Sequence, residues 1–353
     1  MKSALLKLKV EKLIKDTPDA QIMYLREISG REITFTPGQF LTLIFDDNGN
    51  EVRRCYSIFT APSELPVLGI TIKKIEGGVV SDRFLEEIKE GDILSSLIPM
   101  GSFTIAKAKS DHITLYGAGS GITPLFSILK HHLESGDKKS ATLVYQNRNE
   151  SSVIFSEQIA GLEKNYNGRF SVVHILSRPS DNWNGHKGRI DGEFIKNLLL
   201  TDLSAAHKDN DVFLCGPEQM MTTIMNTLET HGFSRSRLHR EYYTLSIKQD
   251  TFLDVEPAER DVTVIYDGKS YNLRVPPKTS ILEQALEEGI DLPYSCQTGT
   301  CSSCMTKLVS GKILLLDQSI LSDDEIQQGY CLTCVGFPVS DDVIVNYDDP
   351  SLP

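Results

Sequence analysis

The hydrophobic pattern of the first 108 residues predicts short strands. Runs rich in β-branched and aromatic residues alternate with turn signals such as Pro37-Gly38. The predicted strands include Ile33–Thr36, Phe40–Phe45 and Gly69–Lys73. Short strands separated by regular turn signals favour an antiparallel β-barrel. One helix is predicted to interrupt it near Ser81–Lys89.

From residue 109 to residue 243, strand-like runs alternate with amphipathic helices. The predicted strands are Ile113–Tyr116, Ala141–Gln146, Phe170–Leu176 and Asp211–Cys215. The predicted helices are one that ends near His132 and three more at Phe155–Asn165, Gly192–Leu199 and Gln219–His231. This alternation predicts an α/β domain, in which helices cover both faces of a parallel sheet.

The last part of the chain has the pattern of a small separate domain. Residues 244–260 lack a clear period and are interpreted as a linker. In residues 261–353, two strand-like runs flank an Asp-Gly turn at Asp267, which is typical of a β-hairpin. Ser280 and Glu283 form a capping box that opens a helix. The chain is therefore expected to be a multidomain protein with three domains.

Composition and charge narrow the class of protein. The 353 residues are 40% hydrophobic and 24% charged, near the globular average, which excludes a disordered or fibrous protein. The net charge is −12, so nucleic acid and anionic membranes are not expected partners. Residues 261–353 contain 14 Asp/Glu and only 5 Lys/Arg. This acidic unit has either an ordinary solvated surface or a face that steers a basic partner.

Hydropathy and cysteine usage indicate a cytoplasmic protein. No run of about 18 apolar residues exists, so no membrane span is predicted. The first residues alternate polar and apolar side chains and lack the apolar stretch of a signal peptide. Five of the seven cysteines fall within Cys296–Cys334. In a cytoplasmic protein, such a cluster suggests a metal site before disulfides.

The spacing of these cysteines predicts a set of metal ligands. Cys296-x4-Cys301-x2-Cys304 followed by Cys334 is the spacing that holds a plant-type [2Fe–2S] cluster. The small residues between them let backbone N–H groups approach the sulfurs. The alternative is a zinc ribbon that uses Cys331 with Cys334 and leaves Cys296 unused. In the iron–sulfur interpretation, Cys331 is a buried bystander.

Residues 261–353 resemble the plant-type ferredoxin domain. The resemblance runs from the Pro-Tyr-Ser segment before Cys296 through Gly329–Cys334 to Pro338. It implies a β-grasp α+β fold with the cluster in a surface loop.

A short motif on a predicted barrel strand suggests flavin binding. In Arg54-Cys55-Tyr56-Ser57, the arginine can hold a diphosphate, the tyrosine can lie flat on a planar ring, and the serine hydroxyl can reach a ring nitrogen. The glycine-rich segment 77–81 can bind phosphate through backbone amides. Taken alone, the four-residue motif is equally consistent with an ordinary strand.

A glycine-rich loop at residues 117–124 suggests nucleotide binding. Its sequence GAGSGITP follows a predicted strand and opens a helix. The glycines allow a diphosphate to approach the backbone at the positive end of the helix dipole. Thr123 is expected to cap this helix, and Pro124 is expected at its first position. The spacing differs from the Rossmann G-x-G-x-x-G, and alone it is as often a packing turn.

Together these motifs resemble the ferredoxin–NADP reductase superfamily, whose members bind FAD and a pyridine nucleotide. The resemblance implies that FAD contacts Arg54, Tyr56, Ser57, Gly78, Val79, Val80 and Ser81. It implies that NADPH or NADH contacts Gly117, Gly119, Gly121, Thr123, Cys215, Gly216 and Pro217, with Ser177 and Arg178 at a 2′-phosphate. The alternative for Cys215 is a buried thiol at a strand end.

The resemblance also implies three catalytic positions. Ser57 would lie at the flavin ring, Cys215 beside the nicotinamide, and Glu241 would relay a proton. The alternative for Glu241 is a solvated side chain without a role in catalysis.

The order of the predicted domains resembles the reductase components of multicomponent oxygenases, such as that of phenylacetyl-CoA 1,2-epoxidase in phenylacetate catabolism. This resemblance implies electron transfer from NAD(P)H through FAD and a [2Fe–2S] cluster to an oxygenase component. Three alternatives remain: a reductase of another oxygenase, hydroxylase or desaturase; a diaphorase for diffusible acceptors; and a zinc-bearing module without turnover.

Overall fold

The chain forms two compact units, residues 3–242 and residues 243–353 with the first two residues. The computed structural model describes residues 5–47, 50–75, 80–81, 87–201, 208–243, 258–297, 299, 301–316, 320–321 and 323–352. Among these described residues, none belongs to a helix long and apolar enough to cross a membrane.

The first part of the larger unit is a six-stranded antiparallel sheet, as predicted. Its strands, in the spatial order β4-β3-β6-β1-β2-β5, enclose an apolar core of their own. They are β1 (Leu6–Thr17), β2 (Ala20–Glu27), β3 (Phe40–Asp47), β4 (Asn50–Ser57), β5 (Val67–Lys73) and β6 (Ile93–Ser96). Exposed and buried residues alternate at the start of β1, because side chains point to opposite faces of a strand.

Of two further predictions for the antiparallel part, one is wrong and the other falls mostly outside the described residues. The strand predicted at Ile33–Thr36 is wrong, because the segment has no strand partner and ends in a turn. There the side chain of Gln39 accepts a hydrogen bond from the backbone N–H of Thr36, and Gln39 N donates to Thr36 O at 3.0 Å. The helix predicted near Ser81–Lys89 lies mostly outside the described residues.

The second part of the larger unit is the predicted parallel sheet, in the order β10-β9-β8-β7-β11-β12. Its strands are β7 (His112–Ala118), β8 (Ser140–Asn147), β9 (Phe170–Leu176), β10 (His186–Lys187), β11 (Asp211–Cys215) and β12 (Leu238–Glu241). The helices between them are α1 (Ile122–Glu134), α2 (Ser156–Asn165), α3 (Gly192–Thr201) and α4 (Glu218–Thr230). The central strands are continuous apolar runs, since both faces of a parallel sheet are buried.

One apolar core extends across both sheets of the larger unit. Ile22 of β2 and Phe59, in the segment between β4 and β5, pack in the same cluster as Leu125, Phe126 and Phe155 of the α/β part. Because the two sheets share this core, burial of apolar surface stabilises their arrangement relative to each other.

A buried carboxylate connects the amino ends of three strands of the parallel sheet. Asp211, at the start of β11, accepts hydrogen bonds from Lys109 N and Ser110 N before β7. It also pairs with Arg237 and His239 at the start of β12. Burial alone would raise the pKa of Asp211, but these hydrogen bonds outweigh it and lower the pKa. Asp211 therefore stays ionised and aligns the strands whose opposite ends carry the candidate site.

The smaller unit has the mixed sheet of the predicted β-grasp fold. Five strands pack in the order β14-β13-β19-β15-β17, and β16 pairs with β18 in a separate two-stranded sheet. The strands are β13 (Arg260–Tyr266), β14 (Lys269–Val275), β15 (Met305–Ser310), β16 (Ile313–Leu315), β17 (Tyr330–Leu332), β18 (Gly336–Pro338) and β19 (Val343–Asn346). The helices are α5 (Ile281–Glu287) and α6 (Asp323–Gln327). The capping box at Ser280 and Glu283 is present, as predicted.

Candidate functional site

The predicted flavin motif lies on β4, at the edge of the antiparallel sheet. Tyr56 pairs with Leu41, and Ser57 is the last residue of the strand. Arg54 is exposed, Tyr56 is half-buried and Ser57 is buried. Burial raises the pKa of Tyr56, so its phenol stays neutral at physiological pH. An exposed guanidinium beside a neutral aromatic ring matches the donor and stacking surface that FAD needs.

Only part of the second predicted flavin segment is described. Gly78 and Val79 lie outside the described residues, whereas Val80 and Ser81 are buried. The hydroxyl of Ser81 accepts a hydrogen bond from Ile75 N at 3.1 Å and therefore fixes its own loop. Any contact of Ser81 with a diphosphate would come most directly from its backbone.

The nucleotide loop has the expected position, but its helix begins differently. β7 runs to Ala118, a tight turn covers Gly119–Gly121, and α1 follows directly from Ile122. The capping role expected of Thr123 is wrong, because Gly121 is the N-cap and the Thr123 hydroxyl donates to Ser120 O at 2.9 Å.

Pro124 is the third residue of α1 rather than the first, which corrects the second expectation about this helix. The physical reason is that the turn leads into the helix without a break. Side-chain capping needs an extended residue directly before the helix, but Gly121, which precedes α1, has a helical backbone conformation.

The two predicted nucleotide motifs meet at a close backbone contact. A Cβ atom on Gly121 would lie 2.1 Å from the carbonyl oxygen of Cys215 and 3.0 Å from Gly216 N. Gly216 in turn lies against Ala118 and against Met220 of α4. Any side chain at position 121 would clash with the backbone of Cys215, so only glycine fits there.

A buried tyrosine that sequence reasoning missed supports this loop. Tyr145 lies on β8, is fully buried, and donates a hydrogen bond from its hydroxyl to Gly119 O at 2.9 Å. Gly119 has a left-handed φ of 53°, which glycine adopts without strain. No motif marks Tyr145, and its bond to Gly119 joins residues that are 26 positions apart in the chain, so no local signal indicated it.

Three candidate residues lie side by side at the carboxyl edge of the parallel sheet. Cys215 pairs with Gly117 of β7 on one side and with Glu241 of β12 on the other. Ligands of open α/β sheets bind outside this edge. The structure therefore brings together the nucleotide loop, the Cys-Gly-Pro segment and the predicted proton relay.

Glu241 is buried rather than solvated. It is 8% exposed, and its Oε2 has no hydrogen-bond partner among the described residues. Burial, together with the nearby thiol of Cys55 on β4, raises the pKa of Glu241 well above its usual value. Cys55 belongs to the flavin motif, so Glu241 lies where the β4 edge approaches the parallel sheet. A protonated carboxyl at this place can donate a proton.

The predicted 2′-phosphate residues follow β9. Arg178 is exposed, and its backbone N–H donates to Arg148 O at 2.7 Å, so the loops after β8 and β9 lie together. Glu150 of the first loop accepts a hydrogen bond from the Ser180 hydroxyl at 2.6 Å. The two loops therefore bring the exposed Arg148 and Arg178 and the carboxylate of Glu150 to the end of the sheet where Ser177 lies.

Three of the four predicted cluster ligands have neighbouring thiols in the smaller unit. The thiol of Cys334 is within hydrogen-bonding reach of Cys296 and Cys304, and these contacts and burial raise its pKa. The Sγ atom of Cys334 also accepts a hydrogen bond from Gly299 N at 3.3 Å. The Sγ atom of Cys301 lies 3.4 Å from the hydroxyl of Ser303.

The thiol contacts around Cys334 fit a sulfur-ligated cluster. A thiolate is stabilised by an amide donor such as that from Gly299, and such bonds tune the potential of iron–sulfur groups. Among the described residues, no three His, Cys, Asp or Glu side chains form a site for a single metal ion.

Cys331 is buried and lies on β17 beside the cluster ligands. Burial and the neighbouring Cys304 raise the pKa of its thiol to about 12. Cys331 pairs in the sheet with Thr306 of β15, so it is held by strand pairing rather than by the ligand loop.

A hydroxyl network behind the cluster ligands was also missed by sequence reasoning. Tyr347 OH lies 2.5 Å from the Thr333 hydroxyl, which donates to Cys304 O at 3.3 Å. Thr333 precedes Cys334, so the network connects two predicted ligands to the chain after β19. Both residues lie outside the cysteine spacing that carries the motif.

Three family matches cover most of the chain. Residues 7–105 match the oxidoreductase FAD-binding domain, residues 115–226 the oxidoreductase NAD-binding domain, and residues 264–339 the 2Fe-2S iron-sulfur cluster binding domain. The cofactors FAD, NAD(P)H and a [2Fe–2S] cluster are therefore those of this chain, and the enzyme is an oxidoreductase.

Two relatives and one solved structure are similar over nearly the full length. The ferredoxin reductase component of 3-ketosteroid-9-alpha-monooxygenase from Rhodococcus rhodochrous is 35% identical, over 90% of this chain and 89% of that protein. A component of 1,2-phenylacetyl-CoA epoxidase from Escherichia coli K12 is 34% identical, over 89% of each chain. Phthalate dioxygenase reductase has the same fold, with 24% identity, a TM-score of 0.62, and coverage of 97% and 98%.

We predict that Cys301→Ser removes the cluster but keeps the flavin activity. A serine oxygen is a poor substitute for thiolate on iron, whereas the site at Arg54 and Cys215 is built from a different unit. The variant should lose the paramagnetic resonance of the reduced cluster yet keep its NAD(P)H–ferricyanide rate within about twofold. Cys331→Ala is the matched control and should keep both. Loss of both signals in Cys301→Ser would contradict the separation.

We predict that Glu241→Gln changes how stability depends on pH. The pKa of Glu241 is raised in the folded chain, so folding favours its protonated form, and this contribution is lost as pH rises above about 4.5. The wild type should therefore lose stability relative to Glu241→Gln, by up to about 1.4 kcal/mol per pH unit. Denaturant unfolding from pH 5 to pH 8 measures the difference, with Glu229→Gln as a surface control. Parallel curves would show that Glu241 ionises normally.

Proposed function

Because this chain belongs to the ferredoxin–NADP reductase superfamily, in the group with a fused C-terminal [2Fe–2S] ferredoxin domain, and is the reductase component of an oxygenase system, we propose that it serves an epoxidase of phenylacetyl-CoA. The observation that carries the proposal is the similarity to the epoxidase component over 89% of both chains, together with the same order of cofactor domains. The route would belong to phenylacetate catabolism in the cytoplasm.

The proposal assigns a domain to each cofactor. Residues 1–108 bind FAD, residues 109–243 bind the pyridine nucleotide, and residues 261–353 carry the cluster. The predicted linker, residues 244–260, lies mostly outside the described residues. When bound, the pyridine nucleotide would supply a hydride, FAD would take electrons in pairs and give them singly, and the [2Fe–2S] cluster would accept one electron at a time. The residues of the chain bind these groups, orient them and exclude water.

In the flavin half, Arg54 binds the FAD diphosphate, and Tyr56 and Ser57 orient the ring. The segment from Gly78 through Val79 and Val80 to Ser81 adds backbone donors to the diphosphate. The exposure of Arg54 and the burial of Ser57 support this division of roles, since a diphosphate stays at the surface and a ring is buried.

In the nucleotide half, the backbone at Gly117–Gly121 and Thr123 holds the nucleotide diphosphate at the start of α1. The segment Cys215-Gly216-Pro217 lies beside the nicotinamide. The raised pKa of Glu241 favours its protonated carboxyl, which can pass a proton toward the flavin. The support is its raised pKa and its place beside Cys215.

In the ferredoxin domain, Cys296, Cys301, Cys304 and Cys334 ligate the two irons. The amide of Gly299 and the hydroxyl of Ser303 stabilise the sulfurs. The excess of acidic residues in this domain suits a basic docking surface on the oxygenase component, which would speed the encounter at low salt.

A second candidate is the reductase of a steroid oxygenase. The ketosteroid monooxygenase reductase is as similar to this chain, in identity and coverage, as the component of the phenylacetyl-CoA epoxidase is. The residues that would contact the acceptor are not marked by any motif, so identity alone does not separate the two candidates.

The test is reconstitution with the oxygenase components of a phenylacetyl-CoA epoxidase and, in parallel, with those of a 3-ketosteroid monooxygenase. Copurification and turnover of phenylacetyl-CoA to an oxygenated product, with stoichiometric use of NAD(P)H, would support the proposal. Omission of the reductase is the control. Turnover of a 3-ketosteroid but not of phenylacetyl-CoA would replace the first candidate by the second.

We predict that Arg178→Ala raises KM for NADPH far more than for NADH. A guanidinium–phosphate contact contributes about 1.5–3 kcal/mol, or roughly 10- to 100-fold in KM, and NADH lacks the 2′-phosphate. Ferricyanide assays with each nucleotide measure the ratio. Arg235→Ala is the matched control, as an exposed arginine that precedes β12 instead of following β9. Equal effects on both nucleotides would remove the 2′-phosphate role of Arg178.

A further inference from the structure

An ion pair connects the element after the flavin motif to the helix after the nucleotide loop. Glu64 lies in the segment between β4 and β5, and β4 ends at Ser57. Lys130 lies on α1, whose N-terminus follows Gly121. The Lys130 ammonium pairs with Glu64 Oε2. Two elements that each carry part of the candidate site are therefore joined directly.

Lys130 is buried next to two aromatic rings, so its ammonium group has little freedom to move. It is 9% exposed, and its Nζ lies 5.5 Å and 5.1 Å from the ring centroids of Phe59 and Phe126. Burial lowers the pKa of Lys130, and the carboxylate of Glu64 opposes that effect. The Glu64 side chain is 39% exposed, so water reaches its carboxylate, whereas the Lys130 ammonium is largely buried and depends on Glu64 as its charged partner.

Glu64 is itself fixed to its loop. Its Oε2 accepts a hydrogen bond from Ala61 N at 2.6 Å, and Glu64 N donates to Ala61 O at 2.9 Å, which closes the turn at Pro62. Lys130 therefore holds a rigid turn rather than a freely moving side chain. A shift of α1 along its axis would be transmitted to the segment that follows Ser57.

Neighbouring contacts support the same alignment. Ser127 of α1 donates from its hydroxyl to Thr60 O at 2.6 Å. Asp16 of β1 accepts from Phe155 N at 2.9 Å, and Phe155 has a left-handed φ of 61°, uncommon for a bulky residue. The ring of Phe155 stacks on Phe126 at 4.8 Å. The junction is thus a defined set of polar and aromatic contacts, with Lys130 as its buried charge.

We propose that Lys130 and Glu64 are positioning residues for hydride transfer, because their ion pair sets the spacing between the flavin edge and the nucleotide edge of the site. The reaction there moves a hydride, two electrons with one proton, from the dihydronicotinamide, which is oxidised, to the flavin, which is reduced. A misplacement of about 1 Å costs such a reaction up to about 100-fold. The proposal rests on the NAD(P)H-to-FAD activity and not on the identity of the oxygenase.

The test is the rate of flavin reduction by NAD(P)H in anaerobic stopped-flow experiments on the holoenzyme. Lys130→Met keeps the length of the side chain and removes its charge. We expect the rate constant of reduction to fall about tenfold, while the Kd for NAD(P)H stays within about twofold, since neither residue belongs to the nucleotide loop. With nucleotide deuterated at the transferred position, the isotope effect should remain fully expressed, so that the slowed step is the transfer itself.

Three further variants separate positioning from simple stability. Lys130→Arg keeps the charge and should recover most of the lost rate. Ser63→Ala removes an exposed contact of the same loop with Glu134 of α1 and should leave the rate unchanged. Glu64→Gln can keep the bond to Ala61 N but loses the ion pair, and should reduce the rate several-fold. Wild-type rates in both Lys130→Met and Glu64→Gln would overturn the proposal.

A second readout does not depend on turnover. In thermal unfolding of the FAD-free chain, Lys130→Met should lower Tm by about 2–6 °C. Adding Glu64→Gln to Lys130→Met should change Tm little further, because the partner has already been lost. Strictly additive shifts would show that the two residues are not coupled. If Lys130→Met fails to fold, an unchanged rate in Glu64→Gln alone overturns the proposal.

These outcomes are distinct from those of the proposed function. A wild-type holoenzyme that reduces its flavin normally but does not support turnover of phenylacetyl-CoA would contradict the epoxidase assignment alone. The roles of Lys130 and Glu64 would still be decided by the rate constants of flavin reduction.

Discussion

The backbone contact between Gly121 and Cys215 determines the geometry of the nucleotide site. Because no side chain fits between them, the start of α1 and the carboxyl end of β11 lie directly against each other. The register of the parallel sheet then places Glu241 beside Cys215 on the other side. The hydroxyl of Tyr145 holds the turn at Gly119 through a hydrogen bond to the carbonyl oxygen of Gly119. The close backbone contact thus determines the shape of the site, and the side chains of Cys215 and Glu241 lie at the carboxyl edge of the parallel sheet.

The chemistry explains why this chain needs two compact units. A pyridine nucleotide gives electrons in pairs, whereas a [2Fe–2S] cluster takes one. The larger unit contains the FAD-binding and NAD-binding domains, which share a core, and the smaller unit contains the cluster domain with its own core. A shared core suits the hydride step, because that step needs near-contact distances. Transfer of single electrons from the cluster to an oxygenase requires an exposed ferredoxin surface instead.

Local sequence signals predicted much of the fold and the motif positions. The bounds of Phe170–Leu176 and Asp211–Cys215 are those of β9 and β11, since buried parallel strands form continuous apolar runs. Ile33–Thr36 is also rich in β-branched and aromatic residues but has no strand partner, so the strand predicted there is wrong. The cap expected of Thr123 failed because the turn at Gly119–Gly121 continues into α1. The contacts of Lys130, Tyr145 and Tyr347 could not be predicted, because each joins segments distant in the chain.

The central claim is that reducing equivalents pass from NAD(P)H through a flavin to iron held by sulfur. Electron paramagnetic resonance of the purified holoprotein, frozen after anaerobic reduction with excess NAD(P)H, tests it most directly. The account predicts a rhombic signal that integrates to about one reduced [2Fe–2S] cluster per chain. A bleached flavin without that signal, in protein that contains its iron, would contradict it.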